Sequence, residues 1–236
     1  MSARINEDLE KSIEATLRWA LGSGSWLTDS RPVPGVCEKP EDLPVLCRRE
    51  GSALPALSES LAGCQRCRLH KGRTHIVFGT GNPHASILFV GEGPGADEDR
   101  IGEPFVGKAG KLLDKMIAAI GLRREEVYIA NVVKCRPPEN RDPAEDEIAT
   151  CLPFLEKQIE AIAPKVICAL GRHAGQSLLK TGDSMGAMRG KTHQWRGIPV
   201  IATYHPAYLL RTSSAKRQAW EDLKKVSALA GGVQCG

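Results

Sequence analysis

Eight cysteines stand in this 236-residue chain: Cys37, Cys47, Cys64, Cys67, Cys135, Cys151, Cys168 and Cys235. Only Cys64 and Cys67 are spaced as a Cys-x2-Cys pair, which points to metal or redox chemistry more than to a disulfide scaffold. Cys135 and Cys151, with fifteen residues between them, supply two more thiolates, and four such groups can hold Zn²⁺ or an iron–sulfur cluster. A zinc ribbon usually carries a second Cys-x2-Cys knuckle, which is missing here, and the single long spacing fits a bulkier cluster better. Cys168 sits inside an apolar run and reads as inert core. Cys37, Cys47 and Cys235 fall where a ligand role would be poorly organised.

Three further stretches carry polar groups that could do chemistry. GEGPGADEDRIGEPFVGKAGKLL (91–113) has glycines at 91, 93 and 95 that let a backbone approach a planar or anionic ligand closely. Position 96 is Ala, so the loop is not a G-x-G-x-x-G dinucleotide fingerprint, and no Gly-Lys-Ser/Thr follows to make a phosphate-cradling loop. Asn131 is followed by KCRPPENR, and the last stretch is YHPAYLLR, 204–211. A His at 205 could stabilise a developing anion or merely cap a helix. The amide of Asn131 offers a donor and an acceptor together.

The elements that must position these groups follow from the apolar pattern. Short apolar runs at Ile87–Val90, Val127–Val133, Val166–Leu170 and Val200–Tyr204 alternate with helical periodicity, as in Leu112, Leu113, Met116, Ile117 and Ile120. Ile148, Leu152, Leu155, Ile159 and Ile162 mark a second helix, with Pro153 expected to start its latter half; Trp220, Leu223 and Val226 mark the last. Nearly continuous apolar strands alternating with helices predict a three-layer α/β/α fold around a four-stranded parallel sheet. In such folds a ligand sits beyond the carboxyl ends of the strands, where the sharpest motifs fall.

Upstream, Ile5, Leu9, Ile13, Leu17 and Leu21 form a stripe on a helix that packs on its own domain or docks a partner, the former being favoured. Gly22 to about Pro55 is Gly-, Pro- and Ser-rich and reads as a linker. We therefore divide the chain into a leader (1–60), a main domain (61–230) and a tail (231–236). The leader to residue 62 holds 7 basic and 10 acidic residues; the remainder holds 25 and 18. That balance permits nucleic-acid binding without demanding it. No apolar run is long enough to span a membrane, and the acidic start does not resemble a secretory signal, so a cytoplasmic protein is expected.

CQRC (64–67), GEGPG (91–95), PFVGKAG (104–110), NVVKCRPPENR (131–141), Cys151 and HPAYLLR (205–211) together resemble the family 4, iron–sulfur branch of the uracil-DNA glycosylases, from about Leu61 to Trp220. The resemblance implies that fold, a [4Fe-4S] cluster on Cys64, Cys67, Cys135 and Cys151, and excision of uracil from DNA by a monomer. It implies His205, Glu92 and Asn131 as catalytic. A uracil site would be formed by Glu92, Gly93, Pro94, Glu98, Phe105, Asn131 and His205. In it Asn131 pairs with N3–H and O4, Phe105 stacks on the flipped base, and Glu98 fills the space beside C5. Gly93 stands where other branches carry a water-activating Asp. Lys134, Arg136, Asn140 and Arg141 are expected to meet DNA phosphates, and Tyr208, Leu209, Leu210 and Arg211 to wedge into the duplex or simply to pack. The competing readings are a catalytically weak iron–sulfur DNA-binding module and a zinc-stabilised nucleotide-binding protein.

Overall fold

The structure, a computed structural model, describes residues 53–231. The leader stripe, most of the linker, Cys37, Cys47 and Cys235 lie outside the described residues. Six strands form one sheet: β1 (Thr80–Gly81), β2 (Ile87–Gly91), β3 (Tyr128–Asn131), β4 (Val166–Leu170), β5 (Thr192–Trp195) and β6 (Ile198–Thr203), in the order β1-β3-β2-β4-β6-β5. The inner four, β3, β2, β4 and β6, are all parallel, as their apolar runs predict. Two antiparallel edge strands, β1 and β5, extend that core into a six-stranded mixed sheet. These two lacked a sequence signal: β1 is two residues long, and β5 (THQW) buries only Trp195. The β5–β6 hairpin turns at Arg196 and Gly197, both at positive φ (45° and 86°), the conformation a tight hairpin with matching twist requires.

Alternate residues of each strand feed opposite layers. Leu88, Val90, Ala130 and Ile167 pack against α1 (Leu54–Ser60), α4 (Glu145–Ile162), α5 (Arg172–Leu179) and α6 (Met185–Met188). Ile87, Phe89, Ile129 and Cys168 pack against α3 (Lys108–Ala119), α7 (Pro206–Arg211) and α8 (Lys216–Ala230). Two apolar clusters on the two faces make the three layers. The remaining helix, α2 (Ala96–Ile101), stands in the β2–α3 connection.

Two sequence expectations shift. Within the stretch read as leader and linker, α1 begins at Leu54 and buries that side chain. Pro153 lies inside one unbroken helix rather than opening its second half. Its ring removes one backbone donor, and the buried face of Cys151, Phe154, Leu155 and Gln158 holds α4 together across it.

Candidate active site

β2 and β3 end side by side, with Gly91 paired to Asn131 in the parallel ladder. A Cβ at Gly91 would collide with Asn131 Oδ1 and with the ring of Phe105, so only glycine leaves these two groups facing each other there. Asn131 is 1% exposed, and its Oδ1 is the one buried side-chain polar atom among the described residues with no hydrogen-bond partner. Burying an unpaired acceptor costs about 1–3 kcal/mol, so an orphan amide oxygen at the carboxyl edge of the sheet is the mark of a donor still to come.

Phe105 is held in place against a conformational preference. Its φ is +54°, uncommon for a bulky side chain, yet it is 6% exposed. Arg124 Nη1 donates to its carbonyl (3.2 Å) and Arg124 Nη2 to that of Pro104 (2.5 Å), and a Cβ at Gly110 would overlap the Phe105 carbonyl. From the other side, Glu98 Oε1 accepts from the Val106 and Gly107 amides, both at 3.0 Å, while its Oε2 accepts from Gly95 N at 3.1 Å. Glu98 is therefore no solvated acid. It ties the 91–95 turn to the loop that presents Phe105.

His205 follows β6 and caps α7: its Nδ1 accepts from Ala207 N at 3.1 Å. That bond puts the ring proton of the neutral imidazole on Nε2, leaving an N–H to donate. Burial drives the ring down to about 4, with Glu98 opposing and Arg211 assisting, so His205 is neutral at physiological pH. Its ring centroid lies 5.6 Å from that of Phe105, and Gly171, at φ +94°, gives it room, since a Cβ there would come to 3.0 Å from His205 Cβ. Glu92 and Gly93 are half-buried beyond β2, and Pro94 is buried. Thus β2, β3, β6 and the 102–107 loop bring Glu92, Asn131, Phe105 and His205 to one edge of the sheet.

The second centre lies on the α4 face. Cys64, Cys67, Cys135 and Cys151 line one pocket of about 320 Å³, part of it open to solvent, with Arg66, Arg73, Lys134 and Phe154 in its wall. Two sulfurs already accept N–H donors: Cys135 Sγ from Arg73 Nη1 and Cys151 Sγ from Lys134 N, each at 3.3 Å. Burial pushes both thiols up, Cys151 to about 11, so the apo groups hold their protons and need a bound metal to become thiolates. A single tetrahedral Zn²⁺ with ~2.3 Å bonds would draw its sulfurs to about 3.8 Å apart. Among the described residues, the only trio of ligand groups within 4.8 Å of one another is Glu92, Asp142 and His173. Four thiols that line one partly cationic pocket, no three of them within 4.8 Å of one another, suit a polynuclear cluster better than a single Zn²⁺. Cys168 is fully buried in β4, and burial raises its thiol further still.

The residues expected to meet DNA divide. Lys134 is a correction: it is 1% exposed and turns inward, its Nζ donating to Asn131 O (2.7 Å) and Gln158 Oε1 (2.5 Å). Burial lowers its ammonium to about 8, against the pull of Cys151. Leu209 is likewise corrected, being 2% exposed in the α3–α7–α8 layer, whereas Tyr208, Leu210 and Arg211 are exposed. Arg136 Nε donates to Asn140 Oδ1 at 2.8 Å on the open loop. Arg141 forms a two-pronged pair with Glu147 (2.7 and 2.9 Å), which Arg68 also grips, and these donors hold the Glu147 carboxyl at about 2. Sequence reasoning missed Arg68, Arg73, Arg124 and Gly171, whose partners are remote in the chain.

Residues 78–224 match the model of the uracil DNA glycosylase superfamily. A type-4 uracil-DNA glycosylase of Archaeoglobus fulgidus is 46% identical over 190 residues, 77% of this chain and 96% of that protein. One from Thermotoga maritima is 49% identical over 177 residues, 73% of this chain and 92% of that protein. A type-5 uracil-DNA glycosylase of Pyrobaculum aerophilum is 33% identical over 146 residues, 55% of this chain and 64% of that protein.

Proposed function

The chain belongs to the uracil DNA glycosylase superfamily, in its type-4 branch, and from that membership we propose that it excises uracil from DNA by hydrolysing the N-glycosidic bond. The orphan Asn131 Oδ1 carries the reading. Uracil presents a donor at N3 and an acceptor at O4, so one amide satisfies both, Oδ1 accepting from N3–H and Nδ2 donating to O4. Cytosine shows the reverse pattern and would leave the buried amide unpaired. The base must leave the duplex stack to reach this edge of the sheet, and Phe105 offers the face on which it rests.

Breaking the bond leaves positive charge on the sugar and negative charge on uracil. His205, neutral and donating through Nε2, stabilises the uracil oxygen as that charge grows, without any reorganisation at the moment of reaction. Glu92 serves the attacking water, since Gly93 has no side chain to do so. Glu98, fixed by three amides, walls the site beside Phe105 and excludes the methyl group of thymine. Cys64, Cys67, Cys135 and Cys151 would hold a [4Fe-4S] cluster, which, when bound, cross-links the 61–73 segment to the β3–α4 connection and to α4. Arg136, Asn140 and Arg211 reach phosphates, and Tyr208 and Leu210 enter the gap left by the base. One copy of the chain carries every group named, so a monomer suffices. Among the described residues no helix is long and apolar enough to cross a membrane.

The test is release of free uracil from single-stranded, U·G and U·A oligonucleotides, with a cytosine-only strand as control. Release from the uracil strands alone is expected; none at all refutes the reading in favour of a DNA-binding module.

A further inference from the structure

Three neighbouring strands each deliver one ionisable group to the same edge of the sheet. Glu92 follows β2, Asp142 lies between β3 and α4, and His173 is the second residue of α5 after β4. One ring nitrogen of His173 and one oxygen from each carboxylate all lie within 4.8 Å of one another. His173 Nε2 stands 2.9 Å from Asp142 Oδ2. Arg172 flanks the pair, 3.1 Å from the same nitrogen and 3.7 Å from the same oxygen.

Glu92 is the inner member. It sits one residue beyond Gly91, which faces Asn131 and Phe105, and its backbone is fixed by Val133 N donating to Glu92 O at 3.0 Å. Its carboxylate has no hydrogen bond among the described residues, and the charged groups facing it are His173 and Arg172 from α5 and Asp142 from the β3–α4 connection. Burial raises its pKa, His173 and Arg172 oppose that rise, and Asp142 adds to it. A carboxylate moved toward neutrality is a better proton acceptor than an ordinary one, provided it stays ionised at working pH.

We propose that Asp142 and His173 are positioning residues that hold the Glu92 carboxylate ready to take a proton from the attacking water, a role that rests on the uracil-excision reading above. The step balances without a co-reactant. The water oxygen bonds to C1′ of the sugar, and the C1′–N1 bond breaks with its electron pair leaving on uracil. One water proton passes to half-buried Glu92, and from there to solvent. Nothing is oxidised or reduced.

The test is single-turnover uracil release across pH with saturating full-length enzyme, paired with a DNA-binding titration. Glu92→Gln should slow release by about 10²-fold at unchanged DNA affinity and abolish the acidic limb of the profile. His173→Gln removes a group that lowers the Glu92 pKa, so the limb should move to higher pH. Asp142→Asn removes a like charge, so it should move to lower pH. Adding His173→Gln to the Glu92→Gln variant should cost nothing more, since both act on one proton transfer. Opposite shifts are the signature that a packing role cannot give. If the limb stays fixed, if both variants move it the same way, or if Glu92→Gln keeps the normal rate, this inference falls while uracil excision stands. A wild-type enzyme that releases no uracil refutes the underlying reading instead.

Discussion

In the proposed reaction Asn131 and His205 divide the chemistry of one base between them, and each is tuned by a neighbour rather than by its own type. The Lys134 ammonium holds the Asn131 carbonyl while the Asn131 side-chain oxygen waits unpaired. Asn131→Asp keeps the shape but exchanges the amide donor for a second acceptor, so uracil release should fall about tenfold to a hundredfold, the cost of one unmet buried hydrogen bond. A normal rate in that variant would remove Asn131 from base recognition. His205→Ala should lower single-turnover release by roughly 10²–10³, the scale for one preorganised donor, with little change in DNA affinity, which phosphate contacts dominate. The same residue sets a stability slope. Its folded-state pKa of about 4 lies below the ordinary 6.5, so the unfolded chain binds the proton more readily. His205 therefore costs no stability above 6.5, and costs progressively more as pH falls from there toward about 4. Denaturant titrations of wild type and His205→Gln over that window should show a shallower pH dependence in the variant; parallel curves would contradict the buried neutral ring. At Gly93 the restoration of an acid is blocked: a Cβ there meets buried Val133 Cγ2 at 2.7 Å, so Gly93→Asp should lower activity rather than raise it.

At the scale of elements, the loop carrying Phe105 shows how a strained residue is kept in place. The positive φ of Phe105 is imposed by Glu98 on one side and by Arg124 and Gly110 on the other. Glu98→Ala frees the Gly95, Val106 and Gly107 amides together, and Gly110→Ala drives a methyl group into the Phe105 carbonyl. Both variants should lose uracil release while retaining their helical circular dichroism signal, because the 102–107 loop is not itself helical and contributes only Phe105 to the apolar clusters. Retained activity in Gly110→Ala would mean that the loop adapts freely. This element also marks the limit of what the sequence discloses. Glu92, Asn131 and His205 were legible because each stands in a compact motif at or near the end of an apolar run, and Phe105 because it stands in the compact Gly/Pro-rich motif PFVGKAG. Their supports were not, since contact across many residues leaves no local periodicity. Arg124 lies 19 positions from Phe105, Arg68 79 from Glu147, and Gln158 80 from Phe78, whose carbonyl it binds. Lys134 misled for a related reason. In KCR it reads as part of a basic run, yet the turn after β3 buries Val132, Val133, Lys134 and Cys135 in succession, and Gln158 of α4 receives its charge.

Across the whole molecule, the sheet separates two layers that depend differently on the cysteines. Leu69, Cys135 and Cys151 belong to the apolar cluster on the α4 side, while α3, α7 and α8 pack on the other face without them. The cysteine pocket joins a segment before β1 to the connection that leaves β3, and Lys134, next to Cys135, holds the Asn131 carbonyl. Removal of the proposed cluster should therefore reach the base site before it reaches the fold. As an oxidant and a chelator strip the protein, visible absorbance near about 400 nm and uracil release should fall together. The far-UV signal should change little, because the opposite layer and the four parallel strands keep their burial, although the melting temperature should drop as the 61–73 segment loses its anchor. Cys64→Ala, Cys67→Ala, Cys135→Ala and Cys151→Ala should each reproduce the bleached state, whereas Cys168→Ala, in the middle of β4, should keep its colour and lose only packing. A colourless protein that still releases uracil at the normal rate would uncouple the two centres. Colour that survives the loss of one of the four thiols, or that fails in Cys168→Ala, would overturn the ligand set itself.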